Sequence, residues 1–420
     1  MHTNLIESLK NTVGTRFIKP KIDISKISKH ALGIILSLQK NKYEAYIVGG
    51  AIRDILINQN PKDFDIATSA TPEQIRRLFK KSRIIGRRFK LVHVLDGRDI
   101  IEVSTFRAKP QEREIMANGV ERDNAYGTLK EDAERRDFTS NSIYFNPTNN
   151  KLIDFYGGID DIKNKQLTII GIPEIRFQED PIRILRAIRF AAKLDLSINE
   201  DITSIIHKNI NLLENIPYSR LFDEVMKLFL TGHALKSVIL FNKFNLSKKF
   251  FPVLQSINPS TQAFLKQGLR DTDKRIHESK SVNPGFLLAV FLWRDVNEAW
   301  GKRKKTSINN TVALNTAIDF VLSKQSKIFP VQKRFIVTMS EIWRLQPRFE
   351  NLNPKRIYRL LGHQRFRAAY DFLLLRNRQG EIDNDLAQWW IKFVEADDKT
   401  KSILIKKTKK NGRYLYRDWE

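Results

Sequence analysis

The chain of 420 residues contains no cysteine. That absence excludes disulfides, thiolate zinc sites, iron–sulfur ligation and cysteine nucleophiles. It argues against a disulfide-stapled secreted protein and fits a reducing cytoplasm. Long apolar runs are missing as well. The two longest, residues 31–38 and 285–293, fall well short of the roughly 20 residues that span a bilayer. No transmembrane segment is expected. Residues 1–21 show neither an apolar h-region nor a small-residue cleavage site, so no signal peptide is expected, and Glu7 and Asp23 interrupt any transit-peptide pattern. Internal repeats and low-complexity blocks are absent. Acidic residues are in deficit: 47 Asp and Glu stand against 73 Lys and Arg, a formal net charge of +26.

What is present narrows the classes further. A hydrophobic content of 41% is ordinary for a folded chain. The length predicts two to three domains, each able to bury a core without metal or disulfide staples. A positive surplus of this size repels itself in a compact chain unless a polyanion regularly sits against it. Nucleic acid is the leading candidate and an anionic membrane surface the second.

Short β-type runs alternate with helical ones from about residue 43 to 170, and helical spacing dominates from there to about 395. The expected fold class is α+β, with a small mixed α/β head followed by an all-helical neck and body. Its expected parts are a basic lead-in at 1–40, the head at 41–170, the neck at 171–235, the body at 236–395 and a basic tail at 396–420. The lead-in ends in a short helix carrying Ile34, Ile35 and Leu38. In the head, strands are predicted at 46–48, 63–67, 90–95 and 99–106, the last two joined by the hairpin signal Asp96-Gly97. A helix is predicted at 51–57. Another opens at Thr71-Pro72-Glu73-Gln74, with Thr at the cap, Pro at the first position and Gln able to bond back. Residues 109–124 are expected to form a mobile loop, and 258–260 and 302–310 to be loops.

Four clusters carry chemistry. In Lys62-Asp63-Phe64-Asp65-Ile66, an extended backbone would project both carboxylates from one face and Phe64 and Ile66 from the other. Two aligned carboxylates repel unless a cation joins them, and Mg²⁺ takes one or two carboxylates plus substrate phosphates. The same pattern also occurs on solvated surface strands. Upstream, Val48-Gly49-Gly50-Ala51-Ile52-Arg53-Asp54 runs from a strand through glycines into a helix, exposing N–H groups suited to phosphate. Arg53 could add a charged contact there or simply pair with Asp54. Glu102, alone in an apolar strand, faces either solvent or a polar site. Arg135-Arg136-Asp137-Phe138 reads as a functional cluster or as a capping and salt-bridge cluster. In Glu179-Asp180-Pro181-Ile182-Arg183-Ile184-Leu185-Arg186, residues Asp180, Arg183 and Arg186 recur at spacing three on a helix held inward by Ile182, Leu185, Ile188 and Phe190. An Asp acceptor beside an Arg donor matches an adenine edge; a surface salt bridge with solvated arginines is the alternative.

The order VGGAIRD, DFDI, RRDF and EDPIRILRAIRF resembles the class II branch of the polymerase-β-like nucleotidyltransferases. That branch holds the bacterial poly(A) polymerases and the CCA-adding tRNA nucleotidyltransferases. The segments at 85–94, 217–224, 273–277 with 282–284, and 366–371 are similar to the poly(A) polymerases in particular, and the likeness runs from about residue 43 to 395. Ala51 stands where the family often has a third glycine. The resemblance implies a template-independent polynucleotide adenylyltransferase that adds AMP from ATP to RNA 3′ ends. The 3′-hydroxyl attacks the α-phosphate with two Mg²⁺ ions, which Mn²⁺ can replace. It implies Asp63 and Asp65 as metal ligands and catalytic residues, with Glu102 as the third acidic residue and Asp137 as an active-site carboxylate. Gly49, Gly50 and Arg53 would contact the triphosphate, Arg136 and Asp137 would lie near the ribose, and Asp180, Arg183 and Arg186 near the base. Expected partners are RNA 3′ ends, ATP and RNA-decay proteins, in the cytoplasm. Two alternatives are a CCA-adding or A-adding tRNA nucleotidyltransferase and a non-catalytic RNA-binding protein on an inherited scaffold. Trp343-Arg344 and Trp389-Trp390 could stack RNA bases, with burial between helices as the competing reading.

Overall fold

The computed structural model describes residues 16–18, 22–86, 90–97, 99–108, 126–252, 254, 263–305 and 309–410. The loops expected at 109–124 and 258–260 lie outside the described residues. The chain divides into two units, Met1–Pro217 and Tyr218–Glu420.

The first unit is built on one eight-stranded sheet. Its strands are β1 (Arg16–Ile18), β2 (Ala45–Val48), β3 (Asp65–Thr68), β4 (Ser82–Ile85), β5 (Leu91–Asp96), β6 (Asp99–Thr105), β7 (Ile143–Asn146) and β8 (Lys151–Asp154), in the order β1-β8-β7-β2-β3-β6-β5-β4. Neighbours are antiparallel except β3 and β6, which run parallel. The helices are α1 (Lys29–Lys40), α2 (Gly50–Leu56), α3 (Pro72–Leu78), α4 (Leu129–Glu134), α5 (Gly158–Lys163), α6 (Pro173–Glu179), α7 (Ile182–Leu194) and α8 (Glu200–Asn209).

Side chains alternate across the central strands, as strand geometry requires. Ala45 and Ile47 of β2, Ile66 of β3 and Ile143 and Phe145 of β7 join α1, α2 and α3 in the larger core. Tyr46 and Val48, Ala67 and Tyr144 enter a smaller core on the opposite face with Phe106 and Ala133. Both faces of β2 are therefore covered, which explains why it reads as a continuous apolar run. Helix α3 starts as its sequence demands. Thr71 accepts from the Gln74 N–H while the Gln74 side chain accepts from the Thr71 N–H. In α7, Ile182, Leu185, Ile188 and Phe190 are buried, as their spacing predicts.

The structure departs from the sequence reading in several places. The lead-in is not merely a basic extension, since β1 pairs with β8 at the sheet edge. Strands β4, β7 and β8, each four residues, were not anticipated. A run that short offers too few residues for a period-2 pattern to stand out. Strand β3 begins at Asp65, so Asp63 lies in the irregular segment before it rather than in the strand. The expected loop 302–310 is shorter, because one helix continues to Lys304 and the next begins at Asn310. The basic tail begins as a helix, Asp398–Lys410.

The second unit is all-helical among its described residues. Helices Pro284–Lys304, Asn310–Ile328 and Lys333–Leu345 pack together at its centre. Trp343 and Trp390 are fully buried, their indole N–H groups donating to the carbonyls of Ala289 and Phe349. Trp389 is half-buried and stacks on Phe393 with centroids 4.7 Å apart. These side chains are core, and the base-stacking reading fails for Trp343 and Trp390. No helix among the described residues is long and apolar enough to cross a membrane.

Candidate active site

Register places the key carboxylate. Tyr144, Val48, Asp65, Glu102 and His93 are successive partners across β7, β2, β3, β6 and β5. A row of partners presents its side chains on one face. Asp65 and Glu102 are thereby held side by side, with His93 Nε2 3.3 Å from Glu102 Oε1 on the far flank. Asp65 is open to solvent on one side and crowded by protein on the others. Burial, the Glu102 charge and the nearby Asp63 push its pKa up to about 6, against the opposing pull of Arg136. Asp63, though outside the strand, thus lies within electrostatic reach of Asp65.

The glycine turn closes on the same spot. Strand β2 ends at Val48, and Gly49 has φ 76° and ψ −132°, a conformation only glycine adopts readily. A side chain at Gly49 would meet Arg136 Nη1 at 3.6 Å and both Asn141 O and Asp65 Oδ2 at 3.8 Å. Those three groups therefore converge on the turn. Helix α2 begins at Gly50, and the Arg53 guanidinium lies beneath it, with Nη2 3.4 Å from the same construction at Gly50.

Arg53 is only 3% exposed. It donates from Nε and Nη2 to Asp54 Oδ1 at 2.9 and 2.6 Å and from Nη1 to Asn141 Oδ1 at 2.5 Å. The pairing with Asp54 weighed in the sequence is thus present, and Lys193 of α7 approaches the other Asp54 oxygen at 3.7 Å. Arg136 is fixed by Asp132 at 3.1 Å and by the Tyr144 hydroxyl at 2.9 Å. Asp132 is fully buried. Burial raises its pKa, but Arg136, Arg135 and the Tyr144 hydroxyl outweigh that and leave it below the usual carboxylate range.

Asp137 accepts from Arg186 Nε at 2.7 Å, from the Phe138 N–H at 2.9 Å and from Asn141 Nδ2 at 3.2 Å. Burial opposes its charge, yet the Arg186 charge and these hydrogen bonds hold its pKa low. Asn141, which the sequence does not single out, joins the candidate site. Its amide accepts from Arg53 and donates to Asp137, and its carbonyl accepts from Arg136 Nη1 at 3.4 Å. Nothing local marks it, apart from lying four residues past Asp137. The Phe190 ring carries three guanidinium groups, those of Arg189, Arg53 and Arg186, at 4.5, 5.4 and 5.6 Å.

The fourth cluster is divided. Arg186 reaches Asp137. Arg183 instead donates to Glu179 Oε2 at 3.0 Å and to the Arg176 carbonyl at 2.7 Å. Asp180, expected as the cap with Pro181 in the first turn, instead stands one residue ahead of the observed cap, Pro181, and accepts from the Ile182 N–H. Arg176, not singled out in the sequence, donates to the carbonyls of Arg135 and Arg136 and so ties this segment to the RRDF segment.

No group of three or more His, Asp or Glu side chains among the described residues is gathered to hold a metal by itself. The donor set is two to three hard carboxylates open on one side. That suits a Mg²⁺ ion that completes its shell with water and substrate phosphate.

The model of the poly(A) polymerase head domain matches residues 45–168, that of a probable RNA- and SrmB-binding site of polymerase A matches 195–258, and that of the polymerase A arginine-rich C-terminus matches 306–417. Poly(A) polymerase I of Escherichia coli O6:H1 is 39% identical over 396 residues, 90% of this chain and 85% of the relative. A CCA-adding enzyme of a Geobacillus species is 38% identical over 245 residues, 58% of this chain and 60% of that enzyme. The crystal structure of the Bacillus stearothermophilus CCA-adding enzyme in complex with CTP matches at a TM-score of 0.55 and 25% identity, covering 91% of this chain and 92% of that one.

Proposed function

The chain belongs to the poly(A) polymerase family of nucleotidyltransferases, and from that membership we propose that it is a template-independent polynucleotide adenylyltransferase, extending RNA 3′ ends with AMP from ATP. One observation carries the chemical part: Asp65, beside Glu102, converges with the Gly49 turn and Arg136. A carboxylate pair beside a glycine turn at the start of a helix suits a metal-bound triphosphate. Asp63 and Asp65 would hold two Mg²⁺ ions, or Mn²⁺ in their place, with Glu102 as the adjoining acid. Bound there, the metal supplies positive charge against the reacting phosphate.

The chain's own groups do the positioning. The RNA 3′-hydroxyl gives up its proton to solvent, and its oxygen forms a bond to the α-phosphorus as the bond to the bridging oxygen breaks and pyrophosphate leaves. No side-chain nucleophile is required, which agrees with the absence of cysteine. Gly49 and Gly50 let phosphate approach the backbone, and Arg53 sets the charge beneath them. Arg136 and Asp137 stand toward the ribose. Asp180 and Arg183 approach the base, and Arg186 acts through its pair with Asp137. RNA-decay proteins are the proposed partner class, and a reducing cytoplasm is the proposed setting.

The experiment offers each labelled nucleotide alone, to an unstructured RNA and to a tRNA lacking its 3′ end. Long ladders from ATP alone are expected. CTP incorporation limited to two residues on tRNA would instead assign the chain to CCA addition. No incorporation by the wild-type chain, or undiminished transfer by Asp63→Ala, would overturn the catalytic reading.

A further inference from the structure

The second unit holds a cavity of about 530 Å³ between helices Asn310–Ile328 and Pro354–Leu361 and the end of helix Lys333–Leu345. Four arginines line it: Arg344, Arg348, Arg356 and Arg359. All four are exposed. Arg344 donates from Nε to Asn315 Oδ1 at 2.8 Å, which orients its guanidinium and leaves the terminal nitrogens available. Among the described residues, none of the four is paired with a carboxylate, and no Asp or Glu lines the cavity. The acid nearest in sequence, Glu350, is influenced instead by Lys304 and Arg376. Buried Leu314 contributes an apolar wall.

Four like charges around one concavity repel each other, and an anion relieves that repulsion. The cavity volume falls in the range of about 300–1,000 Å³ typical of small-ligand sites. Guanidinium forks suit phosphate oxygens, and an apolar wall suits a ribose or base face. A free nucleoside triphosphate travels with Mg²⁺ and favours a carboxylate nearby, which this cavity lacks. Phosphodiesters carry one charge each and need no metal.

We propose that this arginine-lined cavity is a phosphodiester-binding site for the RNA strand, separate from the carboxylate site of the first unit. The proposal rests on the chain acting on RNA. Its test compares wild type with Arg348→Glu/Arg359→Glu and with Arg348→Lys/Arg359→Lys, after thermal melts confirm equal folding. Affinity for a short unstructured RNA is measured without ATP at several salt concentrations, alongside the KM values for RNA and ATP. The Glu pair is expected to weaken RNA binding by about tenfold or more at low salt. It should also lower the log–log salt slope by about 1.4, or about 0.7 for each single-strand phosphate that is no longer neutralised. The Lys pair should retain most of the affinity, and kcat at saturating RNA and the KM for ATP should not change. Unaltered RNA affinity and slope in the Glu pair would overturn the site, as would a raised KM for ATP with RNA affinity intact. If the wild-type chain adds no AMP, the activity fails separately, and the binding comparison still decides the cavity.

Discussion

Asp65 and Glu102 are register partners on β3 and β6, the one parallel pair of the described sheet. Neighbouring strands lie about 4.8 Å apart, so the backbone itself forces the two carboxylates together. A proton or a cation relieves that repulsion, which adds to the larger effect of burial in raising the pKa of Asp65.

Asp65→Asn should therefore separate stability from activity. The native chain holds a proton on Asp65 up to about pH 6, which the unfolded chain releases near 3.8. The folded state thus binds more protons in that window, and its stability falls as pH rises through it. At pH 7 without divalent cation the Asn variant should melt above wild type, and the gain should vanish below about pH 4. Magnesium should raise the Tm of wild type only, and transfer should be lost in the variant. A variant that melts lower than wild type at pH 7 contradicts this account.

Arg186→Ala leaves the Asp137 side chain, 11% exposed, without its cation. Breaking a fully buried pair costs roughly 3–5 kcal/mol, and the partial exposure of Arg186 reduces that to about 2 kcal/mol. The lowered pKa of Asp137 contributes stability above the unfolded carboxylate range that is lost as pH falls through its folded pKa. Urea titrations at a series of pH values below 7 should show the difference between wild type and variant at pH 7 shrink as pH falls below the unfolded carboxylate range. A difference that stays constant down to strongly acidic pH would remove the ion pair as its cause.

Asn141→Ala removes the link between Arg53 and Asp137 in a position only 8% exposed. The orphaned groups should cost about 1–3 kcal/mol. The KM for ATP should rise and kcat should fall. Asn141→Ser, which keeps an acceptor, should recover part of both. Wild-type kinetics in Asn141→Ala would show that the bridge does not position the site.

Gly158 packs against the backbone that carries Asn141. A side chain there would lie 2.2 Å from the Thr139 carbonyl oxygen. Backbone cannot yield cheaply, so Gly158→Ala should destabilise by about 1–3 kcal/mol or more. It should also reduce transfer by disturbing the turn Thr139–Asn141. Unchanged midpoint and activity would show that the turn adjusts freely.

The legible parts of the sequence share one trait: their signal is local. The cap of α3 needs only Thr71, Pro72 and Gln74, and the buried stripe of α7 needs only its own spacing. Gly49-Gly50 before a helix and Asp63-Phe64-Asp65, the groups proposed for phosphate and metal, stand out by residue type alone. The start of β3 is not legible in this way, because pairing with β2 ends at Val48 opposite Asp65, a limit set by another strand. Trp343 and Trp390 look able to serve as stacking platforms because sequence does not reveal which helix covers a ring.

By itself, the sequence determined which groups are available: the carboxylates, the glycine turn, the surplus of cations and the order of head before helices. Tertiary structure alone decided their partners. Glu102 stands opposite Asp65, Arg186 rather than Arg183 reaches Asp137, and Asn141 joins Arg53 to Asp137. Asn141 and Asp137 are only four residues apart, but the other contacts close loops of many residues, and no periodicity within either segment encodes which distant segment it will meet. Strand register and helix packing, driven by burial of the two faces of one sheet, make that choice.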